Sequence, residues 1–450
     1  MARAAVILAA GQGTRMKSAK PKVLHAVAGL PILGHVIAAI RGAGVERIVV
    51  VSAPNMESLR GYVSSLGGEN AIQDKPLGTG HAALAAASVL GQFDGALLVN
   101  NGDMPLAQPA MMEESLATAE QTGLSLVAFR PKDPAHYGRV IRNADGTLDR
   151  IVEFKDATPE QRAIDLCCAG TYAAADARKF FAWAARLSND NAQKEYYLPE
   201  VPLIAKADGV ACAITLADEI DVMGVNSRSE LADAERAMQQ RLRARALASG
   251  VGMLAPETVF LSHDTVLEPD VHIGPYVVFG PGVRVESGAE IKSHSHLEGA
   301  HVGPGALIGP YARLRPGARI AEDVHIGNFV EVKNATIEKG AKTNHLTYLG
   351  DARVGAGANI GAGTITCNYD GFDKHHTDIG AGAFIGSNSA LVAPVSIADG
   401  TYVGAGSVVT KSTGKDSLAV TRAEQKEIPG WAEKFRTRKK AEKAEKKKDK

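Results

Sequence analysis

From residue 273 to residue 409 an aliphatic residue returns on a six-residue beat. The series runs Ile273, Phe279, Val285, Ile291 and Leu297, then after one five-residue step Val302, Ile308, Leu314, Ile320, Ile326 and Val332. Ile337, Thr343 and Leu349 follow a second such step, then Val354, Ile360 and Thr366. After a gap come Ile379, Ile385, Leu391, Ile397, Val403 and Val409. Glycine most often follows the beat, as in "IGPY", "VGPG" and "IGAG". Neither a helix nor an alternating strand has this period. A parallel β-helix does: each hexapeptide gives one short strand and one turn, and the beat residue points into the axis. Glycines allow the backbone conformations that such turns require.

The beat breaks once. Thirteen positions separate Thr366 from Ile379 instead of six, so seven residues are extra in a stretch holding Asn368, Tyr369, Asp370, His375 and His376. A long loop on a regular scaffold is a candidate for chemistry. His375 and His376 are expected to be solvated.

The first half reads differently. "AAVILAA" predicts a buried strand, residues 31 to 40 a helix, "VERIVVVSA" a second strand, and "GALLVNNGDMPL" another strand ending at Asp103. Alternating strands and helices predict a parallel sheet, with ligands at the carboxyl ends of its strands. The first strand runs into "GQGTRM". A dinucleotide-binding loop would want glycine where Met16 stands, whereas Arg15 and Lys22 suit a triphosphate held by backbone N–H groups and cations. Asp103, just after a strand, suits a magnesium ion on phosphate oxygens. The predicted organisation is an α/β domain over 1–226, a charged linker helix over 227–250, a β-helix over 251–433 and a basic disordered tail over 434–450.

Charge and cysteine content change little. Lys plus Arg and Asp plus Glu number 50 each, so the whole chain offers no case for nucleic acid or a membrane surface. The tail "KFRTRKKAEKAEKKKDK" is the exception, with ten basic residues against three acidic ones. None of the four cysteines forms a C-x-x-C pair, which argues against a zinc site or a disulfide framework. No window approaches twenty apolar residues, and the expectation is a soluble cytoplasmic protein.

"LAAGQGTRMKSAKPK" resembles the L-x(2)-G-x-G-T-x-M-x(4)-P-K signature of sugar-phosphate nucleotidyltransferases. "NFVEVK", "HLTYLGDA" and "NIGAGTITCNYDG" resemble the acetyltransferase half of one group among them. That group is the bacterial bifunctional N-acetylglucosamine-1-phosphate uridylyltransferase and glucosamine-1-phosphate N-acetyltransferase family. The resemblance covers nearly the whole chain. It implies a Rossmann-like α/β nucleotidyltransferase domain followed by a left-handed parallel β-helix of hexapeptide repeats.

By the same resemblance, Gly11, Gly13, Arg15 and Lys22 meet the triphosphate of UTP, and Gln73, Gly78 and Thr79 read the uracil. Asp103 and Asn226 hold Mg²⁺, and Gly138 and Glu153 bind the sugar. The motif after Glu153 commonly carries asparagine where this chain has Cys168, which changes the sugar contacts; Asn101 is a second departure. In the other half His345 matches the base, and Glu331 could orient its imidazole. Arg315, Lys333, Tyr348 and Asn359 match sugar-phosphate contacts. Ala362, Asn368, Tyr369, Ser387, Ala405 and Arg422 match the acetyl-CoA site, with the two loop residues also reaching the sugar phosphate. A homotrimer acting on small molecules is implied. Two alternatives are a β-helix serving only assembly or control, and a non-enzymatic binding protein. The loop with "NHLTYLGDA" argues against the first, and the GQGTR, Lys22 and Asp103 set against the second.

Overall fold

The structure, a computed structural model, describes residues 1–135 and 137–448. It divides into two compact units: residues 1–249 with 260–265, and 250–259 with 266 onwards.

The first unit is built on a sheet of nine strands. These are β1 (Arg3–Leu8), β2 (Arg47–Ser52), β3 (Glu69–Ile72), β4 (Ala96–Asn101), β5 (Leu124–Phe129), β6 (Arg139–Arg142), β7 (Leu148–Val152), β8 (Cys167–Ala174) and β9 (Cys212–Ala217). The main order is β9-β5-β8-β4-β1-β2-β3, with the β6–β7 hairpin attached to β8. Strands β1 to β4 pair in parallel, as the alternating pattern predicts. Strand β8 departs from that pattern, running antiparallel to both β4 and β5. The sheet is therefore mixed. Its two faces bury separate clusters, one around Ile7, Val50, Leu98 and Phe129, the other around Val6, Val99, Leu126 and Tyr172. Alternate residues of one strand thus serve opposite cores, the consequence of side chains with period two.

Helix α1 (Ile32–Gly42) follows the expected pattern closely. The charged helix α2 (Arg228–Ala248) packs within the first unit rather than spanning free space. Ala234 is buried with Val27, Ile32 and Val225. Glu235 accepts a hydrogen bond from the Ala28 N–H at 2.7 Å, and Gln239 exchanges two bonds with the backbone of Leu261 at 2.7 and 2.8 Å. Two such side chains anchor a helix that local pattern alone marks as a connector.

The second unit is a left-handed parallel β-helix. Ile273 pairs with Ile291, Ile291 with Ile308 and Ile308 with Ile326, so every third beat stacks on the same face. One coil takes eighteen residues, or seventeen where a five-residue step falls. The beat residues from Ile273 to Val409 are buried. Each fully buried aliphatic side chain contributes roughly 1.5–3 kcal/mol, which makes the inner columns the main source of stability. Val354 stacks on Ile379, twenty-five residues on, so the seven extra residues leave the coil as an excursion. Thr366 sits on the beat just before it, and its hydroxyl accepts from Gly350 N at 2.8 Å. A hydroxyl at that beat serves backbone groups where the strand ladder is about to stop.

The segment expected as a disordered tail is helical over Trp431–Lys448, with Trp431 and Phe435 stacked one turn apart at 5.1 Å. Its last two residues lie outside the described residues. Alanine, lysine and glutamate are good helix formers, and composition alone did not separate a solvated helix from a coil. Among the described residues no helix is long and apolar enough to cross a membrane.

Two candidate active sites

In the first unit, two cavities of about 280 and 300 Å³ lie at the carboxyl ends of β1 and β4. Gly11, Lys22, Gln73, Gly78 and Thr79 line the first; Gly138, Glu153, Cys168 and Asn226 line the second. Asp103, Asn101 and Thr79 border both, which makes the two cavities continuous neighbours. Gly13 packs against Lys22, which lines the first cavity. Its φ of +60° and missing side chain matter, because a Cβ there would sit 2.8 Å from Lys22 Cβ. Arg15 is exposed and lines neither cavity.

Three residues far apart in sequence converge. Lys22 Nζ donates to Asp103 Oδ2 at 2.5 Å and to Asn226 Oδ1 at 2.8 Å. Val225 N donates to the Asp103 carbonyl at 2.9 Å, tying the loop before α2 to the strand end. Glu230, which sequence reading missed, accepts from Asn226 N and Ser227 N at 2.6 and 2.9 Å and completes a capping box at the start of α2. An S-x-x-E spacing beginning at Ser227 carried that signal. Among the described residues no three of His, Cys, Asp or Glu form a metal cluster. Asp103 and Asn226 nevertheless fit a cation, since together they already hold one, the Lys22 ammonium.

Around the second cavity, burial and the nearby Asp156 hold the Glu153 carboxyl above its ordinary range. Gly138 faces it, and a Cβ there would stand 3.3 Å from Glu153 Oε1. Gln73 is fixed by its own bonds, donating to the Gly78 carbonyl at 3.0 Å. Gly78 has φ +104° and touches the backbone of Tyr196, so no side chain fits there. The Cys168 thiol accepts from Gly170 N at 3.3 Å and bonds the Tyr172 hydroxyl at 3.3 Å. Burial pushes this thiol up to about 11. Its polar capacity is spent on the fold, not on the cavity. We expect Cys168→Ala to destabilise the protein by about 1–3 kcal/mol, because it strands the buried Tyr172 hydroxyl; urea unfolding measures this.

In the second unit, His345, Ala362, Ser387 and Ala405 each stand two residues after a beat on the same face. They form one column along a corner of the prism. The register is closed by Gly363 N to His345 O (3.4 Å), Asn388 N to Ala362 O (2.7 Å) and Gly406 N to Ser387 O (2.8 Å). Arg422 ends the column by donating to the Ala405 carbonyl at 2.6 Å. His345 is exposed, and its Nδ1 bonds Asn328 Oδ1 at 2.8 Å. An amide oxygen accepts, so the proton sits on Nδ1 and the Nε2 lone pair is free. Asn328 is one coil before His345, a spacing that sequence reading could have used.

Glu331 does not face the imidazole. Its carboxylate bonds Arg315 at 2.8 Å and lies 3.6 Å from Arg313. Tyr348 extends from the same face as Glu331, and its ring crosses Gly350, where any Cβ would meet the hydroxyl at 2.3 Å. Lys333 lies beside Lys374, a residue of the excursion that the motifs did not mark. This second ammonium, and Arg315 beyond it, pull Lys333 below its ordinary range. Arg315, Lys333 and Lys374 thus make a local excess of positive charge. Asn359 is not with them; it pairs with Lys342 and Phe384 on another face of the prism.

The excursion is a small hairpin. His375 N donates to the Asn368 carbonyl at 2.8 Å, and Tyr369 bridges to Lys374. Asp370 accepts from the N–H groups of Phe372 and Asp373, both at 2.8 Å, and bonds His375 Nε2 at 2.8 Å. His375 is therefore half-buried and paired, contrary to expectation, while His376 is exposed. Asn368 is pinned to Asp351, which also accepts from Asn334 at 2.6 Å. Excising 369–375 removes seven residues and restores the six-residue step from Thr366.

Comparison with known proteins agrees with both halves. Residues 5–193 match the MobA-like NTP transferase domain, and residues 299–334 and 376–411 match the bacterial transferase hexapeptide (six repeats). The bifunctional protein GlmU of Paramagnetospirillum magneticum is 52% identical over 446 residues, 98% of each chain. That of Rhodospirillum rubrum is 56% identical over 436 residues, 96% of this chain and 97% of the relative.

The chain belongs to the GlmU family.

As a GlmU-family member it is a bifunctional enzyme, acting on nucleotide and acyl-CoA substrates. It acetylates glucosamine-1-phosphate from acetyl-CoA and joins N-acetylglucosamine-1-phosphate to UTP with release of pyrophosphate. The two continuous cavities lie in the first compact unit and the His345 column in the second.

Proposed function

We propose that the paired cavities perform uridylyl transfer and that the His345 column, with the excursion, performs acetyl transfer. The observation that carries the second assignment is the alignment of His345, Ala362, Ser387 and Ala405 in one column that Arg422 closes.

For acetyl transfer, His345 Nε2 takes a proton from the amino group of glucosamine-1-phosphate. That transfer accompanies attack of the neutral amine's lone pair on the thioester carbon, so a C–N bond forms, the C–S bond breaks as the adduct collapses, and the same proton passes on to the departing thiolate. Arg315, Lys333 and Lys374 hold the sugar phosphate, each as a cation on a dianion. Acetyl-CoA lies along Ala362, Ser387 and Ala405, whose small side chains leave room, with Arg422 at the far end and Asn368 and Tyr369 at its reactive end. Asn328, not Glu331, orients the base. Excision of residues 369–375 should leave a folded β-helix, by circular dichroism and thermal melting, that releases no coenzyme A thiol. Retained thiol release would remove the excursion from the site.

For uridylyl transfer, a phosphate oxygen of N-acetylglucosamine-1-phosphate attacks the α-phosphorus of UTP, and the bond to pyrophosphate breaks. Gly11, Gly13 and Lys22 receive the triphosphate, with Arg15 reaching in from the exposed edge of the loop. Gln73, Gly78 and Thr79 read the base. Gly138, Glu153 and Cys168 border the sugar. Asp103 and Asn226 would hold Mg²⁺, which neutralises phosphate charge and so makes the phosphorus easier to attack. Positioning and charge neutralisation supply most of the catalysis.

The protein acts as a homotrimer in this reading. Asn359 lies on a different face from Tyr348 and Lys333, so a neighbouring copy is needed to bring these groups around one substrate. An exposed ridge of Tyr276, His294, Tyr311 and Phe329, stacked 4.9–5.2 Å apart and leading to Leu346 beside His345, offers apolar surface for such a contact.

A further inference from the structure

We propose that Lys22 is an internal counter-ion that competes with a divalent cation for Asp103 and Asn226, releasing them when nucleotide phosphates take its ammonium. The inference rests on the metal reading above and adds a competitor to it.

The geometry is specific. Lys22 Nζ stands 2.5 Å from Asp103 Oδ2 and 2.8 Å from Asn226 Oδ1, and the Lys22 and Asp103 side chains are only 13% and 19% exposed. Asn226 offers one acceptor atom on its side chain. A divalent ion bound there would share that oxygen with the ammonium. Magnesium sits about 2.1 Å from its oxygen ligands. Two positive groups would then lie within about 5 Å of each other in a shielded site, where their repulsion is far stronger than in water. Coexistence is therefore disfavoured, and the ammonium must leave.

Its route out is visible. The Lys22 stem rests against Gly13, and Gly11 and Gln12 line the same cavity as Lys22. Rotation about that stem carries Nζ from Asp103 and Asn226 towards the glycine loop, where the triphosphate is expected. Phosphate oxygens then replace Asp103 as its partner. Each ligand removes the obstacle to the other, so cation and nucleotide favour one another reciprocally. Asp103 is thus never left without a cation, first the ammonium and then the metal ion.

The test is Mn²⁺ titration of the full-length protein without nucleotide, with free Mn²⁺ read by electron paramagnetic resonance. Lys22→Met keeps the stem and removes the charge. It is expected to bind Mn²⁺ about tenfold more tightly than the unaltered protein. Lys22→Gln serves as a second variant, with circular dichroism to confirm the fold. In both, UTP affinity measured without metal should fall. Adding Asp103→Asn to Lys22→Met should abolish the gain. Unchanged or weaker Mn²⁺ binding in both Lys22 variants overturns the competition. A gain that survives Asp103→Asn overturns the metal assignment instead, because the ion would then be bound elsewhere.

Discussion

His345→Ala loses acetyl transfer by about 10²–10⁴-fold, the usual contribution of a positioned general base. Release of coenzyme A thiol from acetyl-CoA and glucosamine-1-phosphate measures this directly. Pyrophosphate release from UTP and N-acetylglucosamine-1-phosphate stays within about twofold of the unaltered enzyme, because its proposed site belongs to the other compact unit and shares no partner with His345. The substitution removes an exposed ring whose one described side-chain bond goes to Asn328, so the coil loses little stability. His345→Gln is the informative companion. It keeps polar contact with Asn328 yet has no lone pair of comparable basicity, and it should be nearly as inactive. If His345→Gln kept full acetyl transfer, the imidazole would be a structural group.

Asp103→Ala has the opposite profile. Pyrophosphate release falls by about 10³-fold, the equivalent of the several kcal/mol that a correctly held metal ion supplies. Thiol release is unaffected. The loss is of charge rather than of shape. Among the described residues Asp103 is the only carboxylate bonded to Lys22, while its backbone carbonyl ties Val225 to the strand end. The backbone tie survives the substitution, so the site keeps its shape and loses its charge. Asp103→Asn separates these effects further, keeping the size of the side chain. A proportional fall in both activities for either variant would show that the two sites depend on each other.

Much of this was legible in the sequence because a solenoid writes its geometry into a one-dimensional period. Six-residue beats predicted the inward-pointing positions, and seven surplus residues predicted one loop leaving the coil. The glycine loop and Asp103 were readable for a similar reason: each lies next to a strand whose apolar run is local. What the period could not carry was side-chain partnership across coils. Glu331 looked available to His345 because their motifs follow closely along the chain, whereas Arg315, one coil earlier, claims its carboxylate and Asn328 takes the imidazole. His375 looked like a solvated loop residue because its partner, Asp370, is bonded only after the hairpin closes.

The first unit shows a harder limit. Lys22, Asp103 and Asn226 are separated by 81 and 204 residues along the chain from the lysine, and no local pattern announces their meeting. Antiparallel insertion of β8 between β4 and β5 is equally silent, since a buried strand reads the same in either direction. Cys168 was read as a departure at a ligand-facing position. The structure gives it a second duty, satisfying Tyr172, which explains how a thiol can stand there without leaving a buried hydroxyl unpaired.

The central claim is that the two activities belong to separate sites, one built on each compact unit, with the acetyl site completed by a neighbouring copy. It is tested most directly by mixing separately purified His345→Ala and Asp103→Ala proteins with glucosamine-1-phosphate, acetyl-CoA, UTP and Mg²⁺, and following pyrophosphate. Neither variant alone should release it at an appreciable rate. The mixture should, after a lag in which the Asp103→Ala protein supplies N-acetylglucosamine-1-phosphate to the His345→Ala protein. A mixture as inactive as its components, with both proteins folded, would contradict the account.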